Sequence, residues 1–314
     1  MSADAVRRIA DAVLYEGYLL WPYRKSALKN QQRFTFGAVH PPAWDDRSSL
    51  QAQVLLEGED ARVEVRVRFL HVIRRQVLRV SASSAVPEPV EELESDGERW
   101  ISWDEATERE LAPGAVRVPA GEDVEEIPGG IVRRSWAALQ GEATVTREVL
   151  RPALCRVTVR VENTTPCRPR TRADALRHAF CSTHVVLHTP DGAWVSATDP
   201  PEALGAEARA CVSSGVWPIL AGEAGDRSTV LASPIILPDH PEIAAESPGD
   251  LFDSGEIDQM LVLNILAMTD EERRDMRDAD PRAREILERT EALSQDDIMR
   301  LHGAVRDFGL TRSR

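Results

Sequence analysis

Three histidines and a cysteine stand close together in the middle of the chain: His178, Cys181, His184 and His188. Imidazole nitrogens and thiolates are good ligands for zinc or nickel. On one helix these spacings would put all four groups on one side. The local sequence reads as a strand instead. There His184 and His188 share a face while Cys181 points to the other, so this segment alone does not close a metal site. A structural role is the favoured reading. A metal centre at His184 and His188 needs a third ligand from elsewhere, with Asp239 or His240 as candidates.

Other residues with chemical potential are set against similar bland readings. Glu88, Glu91, Glu92, Glu94, Asp96 and Glu98 crowd around Trp100 and Trp103. General acid–base work needs two carboxyls at a defined separation with shifted pKa values. A dense acidic run is more simply a solvated face. Nucleophile-elbow, Walker and dinucleotide glycine motifs are absent from the sequence. Arg24, Lys25, Lys29 and Arg33 form a basic cluster beside Tyr18, Trp21 and Tyr23, and these two lysines are the only ones in the chain. Such a patch suits an anion or an acidic partner surface. A stiff polar joint follows later, from Pro238, Asp239, His240, Pro241 and Glu242 to Ser247 and Pro248. Rigid exposed loops are good binding elements. The basic cluster and the joint, with Asp239 and His240, are read as one partner-facing surface.

The elements that must position these residues are mostly strands. Residues 61–69 alternate Val63, Val65, Val67 and Phe69 with Arg62, Glu64, Arg66 and Arg68, a period of two with one buried face. Residues 50–56 precede them across Gly58-Glu59-Asp60, which predicts a hairpin. The alternation slips at 70–73, where a bulge would restore it. Val157, Val159 and Val161 repeat the pattern until Asn163 to Pro166 break it. Segments 183–187 and 193–196 flank a Pro190-Asp191-Gly192 turn, and 34–38, 229–231 and 235–237 suggest further strands. Helical signals lie at the ends. Residues 4–20 space Val6, Ile9, Ala10, Val13 and Leu14 as one helix. After about residue 254, Ser254, the Thr269/Glu272 capping box, Asp280-Pro281 and Ser294 each mark a helix start. The expected fold is α+β and mainly β. An antiparallel β-sandwich-like body with a short N-terminal helix fills 1–250, and a helical C-terminal tail fills 251–314.

With 314 residues and 42% apolar content, the chain can bury a real core. A net charge of −14 argues against general nucleic-acid binding and against an anionic membrane surface. Four scattered cysteines do not form a secreted disulfide framework. The start lacks a signal-peptide pattern, and no apolar run is long enough for a membrane span, so a cytoplasmic location is expected. Nothing in the sequence implies a cofactor or sets the oligomeric state.

Segments 11–37, 182–202 and 233–285 together resemble a bacterial protein family encoded in operons of high-affinity, actinobacterial-type nickel–iron uptake hydrogenases. The resemblance carries over no catalytic residue. It implies an accessory role in maturation or assembly, with hydrogenase subunits or maturation factors as partners. Two other readings stay open: an enzyme with an unfamiliar, metal-dependent site near His184 and His188, and a ligand-binding β-sandwich using Trp100, Trp103 and Trp194.

Overall fold

Alternating valines make strands only where a second layer can cover one face, and this chain supplies that layer twice. The computed structural model describes residues 7, 9–11, 14, 36–81, 86–241, 262, 264–279 and 281–294. The first sheet is built on β1 (Ser49–Glu57) and β11 (Leu154–Asn163), paired antiparallel from Ser49↔Glu162 to Glu57↔Leu154. β13 (Ala193–Trp194) pairs with the far side of β1, while β10 (Leu139–Arg151) and then β7 (Gly114–Val118) continue from β11. The second sheet runs β14 (Trp217–Leu220), β15 (Thr229–Ser233), β12 (Cys181–His188), β2 (Glu64–Arg79), β9 (Gly130–Trp136), β8 (Gly121–Ile127). On the other edge of β2 lie β6 (Trp103–Leu111) and β3 (Glu88–Val90). A hairpin of β4 (Glu92–Ser95) and β5 (Glu98–Ile101) stands apart from both sheets.

The two sheets face each other over one core. Leu50, Ala52, Val54 and Leu56 of β1 and Val157, Val159 and Val161 of β11 meet Val65, Val67 and Phe69 of β2 and Val185 and Leu187 of β12. Phe69 and Phe180 pack ring to ring with centroids 4.8 Å apart. The other face of the larger sheet is covered as well. Leu70, Val72 and Cys181 pack against Leu14 and against Val262, Ile265, Met276, Ile286 and Leu287 of the C-terminal region. The last two belong to α4 (Pro281–Glu291), which follows α3 (Asp270–Ala279). Ile9 and Ala10 cover Ile219 and Leu231 on the same side. The architecture is therefore three layers: sheet, sheet, helices. Short helices α1 (Arg172–Arg177) and α2 (Gly205–Arg209) fill the flanks.

The α+β, mainly β reading holds, and its helical ends are present. Residues 7, 9–11 and 14 are helical. Thr269 and Glu272 form the expected capping box: the Thr269 amide donates to the Glu272 carboxylate at 2.9 Å, and the Glu272 amide to the Thr269 hydroxyl at 3.2 Å. α4 begins at Pro281 as expected. The helices expected after Ser254 and Ser294 fall largely outside the described residues, although 262 and 264–266 are helical.

Several details differ. β1 and β2 form no hairpin; each takes distant partners in a different sheet, because both turn apolar side chains toward the space between. The alternation in β2 ends without a bulge in that strand, because beyond Arg68 both faces are covered. The irregularity lies in β12, between Cys181↔Leu70 and His184↔Arg68, where Ser182 has a φ of 54°. Residues 36–37 form a turn and 235–237 are not a strand, while the acidic stretch forms β3 to β8.

Candidate functional site

The histidine cluster is taken apart by local bonding. The β12 irregularity adds one residue, so Cys181 sits across from Leu70 and shares the helix-covered face with His184, against the simple strand expectation. His184 is fully buried, its Nδ1 3.1 Å from the Ser182 carbonyl. Burial pushes its pKa down to about 3; the Ser182 contact opposes this and Arg68 adds to it. His188 Nδ1 faces the Thr229 hydroxyl at 3.1 Å, and His178 Nδ1 the Asp174 carbonyl at 2.9 Å. Asp239 and His240 attach to β14, two strands from β12. No three His, Cys, Asp or Glu side chains come together as a metal site among the described residues.

Asp239 and His240 instead close a sheet edge. The Leu220 amide donates to Asp239 Oδ1 at 2.8 Å, and the His240 amide to the Leu220 carbonyl at 2.7 Å. Asp239 Oδ2 accepts from the Ser196 and Thr198 hydroxyls at 2.5 and 2.9 Å. Pro218, in the same strand, has no N–H to offer. What this sheet edge shows to solvent includes two large apolar side chains: Ile236 is 75% exposed, and Trp217 of β14, whose cross-strand neighbour is Ser233, is 45% exposed. Arg24, Lys25, Lys29 and Arg33 lie outside the described residues.

Part of the acidic stretch is paired with arginine. Glu105 receives Arg75 at 3.3 Å and Arg134 at 2.9 Å, and Arg134 also reaches Glu125 at 2.9 Å. Arg99 joins Glu92 at 2.6 Å to Asp275 of α3 at 2.5 Å, fastening the hairpin to the tail. Arg75, nearly buried, also donates to the carbonyls of Ile101 at 3.0 Å and Asp278 at 3.1 Å. On either side of this hairpin open clefts of about 1150 and 1400 Å³. Trp100 and Trp136 line the larger. Trp103 and Trp194 are buried, so two of the three tryptophans expected at a ligand groove are core residues.

Sequence reasoning missed Arg68 and Arg75. Arg68 is buried and holds Asp11 at 2.5 Å, Glu108 at 3.2 Å and Glu110 at 3.5 Å. Their signal was faint: two of the many arginines in β2, in no way distinct until the covering layer is known. It also missed Trp217 and Ile236, which look like ordinary strand and loop residues. No protein-family model matches the chain, and no curated protein matches it. No helix among the described residues is long and apolar enough to cross a membrane.

Proposed function

We propose that this protein is a non-catalytic accessory protein of the cytoplasm that acts through protein–protein contacts in the maturation or assembly of a nickel–iron hydrogenase. The family resemblance of 11–37, 182–202 and 233–285 supplies the biological context. One observation carries the contact reading: the segment after β15 lies within a resembling stretch, is held rigid by Asp239 and His240, and presents Ile236 to solvent, near Trp217 of β14 on the same sheet edge. Exposed apolar side chains on a stiff support are what a partner surface needs. The basic residues Arg24, Lys25, Lys29 and Arg33 form the electrostatic part of this proposed surface, directed at an acidic partner.

Affinity capture from a native host should recover hydrogenase subunits or their maturation factors. Ile236→Asp should abolish that recovery with an unchanged melting temperature, and charge reversal at Lys25 and Lys29 should weaken it in a salt-dependent way. Deletion of the gene should lower hydrogen uptake without altering the large-subunit transcript. Normal uptake in the deletion strain overturns the proposal.

A further inference from the structure

A strand at the edge of a sheet carries unpaired N–H and C=O groups and attracts another strand unless something blocks it. β14 is blocked by Pro218 and by the Asp239–His240 clasp at Leu220. β8 is guarded by Glu122, Asp123, Glu125 and Glu126 along its length. β10 differs. β7 covers it only from Leu139 to Ala143, so from 144 onward it has β11 on one side and no strand on the other among the described residues. Residues 144–149 are exposed throughout.

The open groups can be assigned. The Gln140 amide donates to Thr165 Oγ1 at 3.0 Å, and the Gln140 carbonyl accepts from the Thr164 amide at 2.9 Å, both just past the end of β11. Backbone groups alternate sides along a strand, so even-numbered residues of β10 face β11. The N–H and C=O of Val145, Arg147 and Val149 therefore point to the open side. The local charged groups already have hydrogen-bond partners within the chain. Glu148 accepts from Arg156 at 3.0 Å, and Arg147 donates to the Ala61 carbonyl at 2.9 Å. Val145 and Val149 remain 37% and 72% exposed.

These open positions are symmetric about Arg147. We infer that β10 pairs antiparallel, along 145–149, with the same segment of a second copy of this chain, about a two-fold axis at Arg147. The partner is a second copy because this one register uses the open groups of all three residues in both chains. It also sets Val145 of each chain against Val149 of the other, which covers the exposed valines. A two-fold contact is self-complementary in this way. The Arg147 guanidinium, drawn back to Ala61 of its own chain, leaves the axis clear of like charge. The net charge of −14 opposes association elsewhere, which favours a charge-balanced edge as the point of contact.

Sedimentation velocity of the full chain from about 1 to 100 μM should show a concentration-dependent shift to twice the mass of one chain. Val149→Pro removes an open N–H and adds no strain to the β11 side, and it should keep the chain monomeric. Val149→Lys, at an exposed position, should do the same and replaces the proline variant if that one misfolds. The register is read by disulfides. Thr146→Cys and Glu148→Cys, mixed in equal amounts, should cross-link on mild oxidation, because the two positions face each other as a non-hydrogen-bonded pair about 4.5 Å apart. Neither variant alone should cross-link above the wild-type level. A wild-type chain that stays monomeric at about 100 μM overturns the inference. So do Val149 variants that dimerise like wild type, and a mixture that cross-links no more than its components.

Discussion

Asp239 receives three hydrogen bonds from within the chain, from the Leu220 amide and the Ser196 and Thr198 hydroxyls. Asp239→Ala should cost about 1–3 kcal/mol, because three donors lose their acceptor and the β14 edge opens; urea midpoints at constant slope would measure it. A cost below about 0.5 kcal/mol, the level of a neutral surface change, would mean that the clasp is ornamental. His71 makes a second residue-level prediction. It is fully buried, and its ring nitrogens make no hydrogen bond of good geometry among the described residues, the Ala137 backbone being a weak polar contact. Burial lowers its pKa from 6.5 to about 4, with Arg109 and His178 adding to the fall and the Ala137 backbone opposing it. Between those values the unfolded chain binds a proton that the folded chain refuses. The stability from keeping His71 neutral is therefore complete above pH 6.5 and declines as pH falls, by about 1.4 kcal/mol per unit. His184 contributes in the same direction, down to about pH 3. His71→Leu removes this titration. From about pH 7.5 to 5 wild type should lose about 2 kcal/mol more than the variant. Equal losses in urea titrations at the two pH values would show that His71 is not the group responsible. Neither role was legible in the sequence, because a histidine's environment is set by strands and helices far from it along the chain.

At the scale of elements, β2 joins the layers. One face fills the space between the sheets and the other lies under the helices, with Arg75 near its end bonding to β6, to the hairpin and to α3. Arg75→Met should cost about 2–4 kcal/mol, since Ile101 and Asp278 lose a donor to their carbonyls while Glu105 keeps Arg134. The loss should be local. Hydrogen exchange should accelerate in α3, α4 and the β4–β5 hairpin while β1 and β11 keep their protection. Uniform acceleration would mean that the tail and body open as one unit. The elements themselves were unevenly legible. The Thr269/Glu272 box announced α3 because a capping box is a contact between residues three apart. Valine alternation announced β2 and β11, and the apolar run 50–56 announced β1, because at least one face of each strand is buried. The strands of the acidic stretch were not visible. β8 buries almost nothing, and β6 sets half-buried charges where a core strand would set apolar groups.

For the whole molecule, the helical layer is part of the core. Val262, Ile265, Met276, Ile286 and Leu287 close over Leu70, Val72, Ile101 and Trp103. Burial of such a side chain is worth about 1.5–3 kcal/mol, so five together rival the whole stability of a domain at about 5–15 kcal/mol. Deleting 262–314 should leave a protein that is insoluble or binds a hydrophobic dye, and a soluble deletion variant with an unchanged melting midpoint would overturn this. The sequence by itself determined that the body is β-rich, that helices follow it, and where α3 and α4 begin, because alternation, caps and proline act between neighbours in the chain. The tertiary structure alone decided which strands pair. Backbone hydrogen bonds carry no side-chain label, so the apolar residues of β1 fit a hairpin with β2 as well as the pairing with β11, more than a hundred residues away in the chain. It also decided that Cys181 and His184 share a face without forming a metal site, and that Asp239 and His240 hold an edge strand. Those outcomes depend on one extra residue in β12 and on where β14 ends, distances in space that spacing in sequence does not contain.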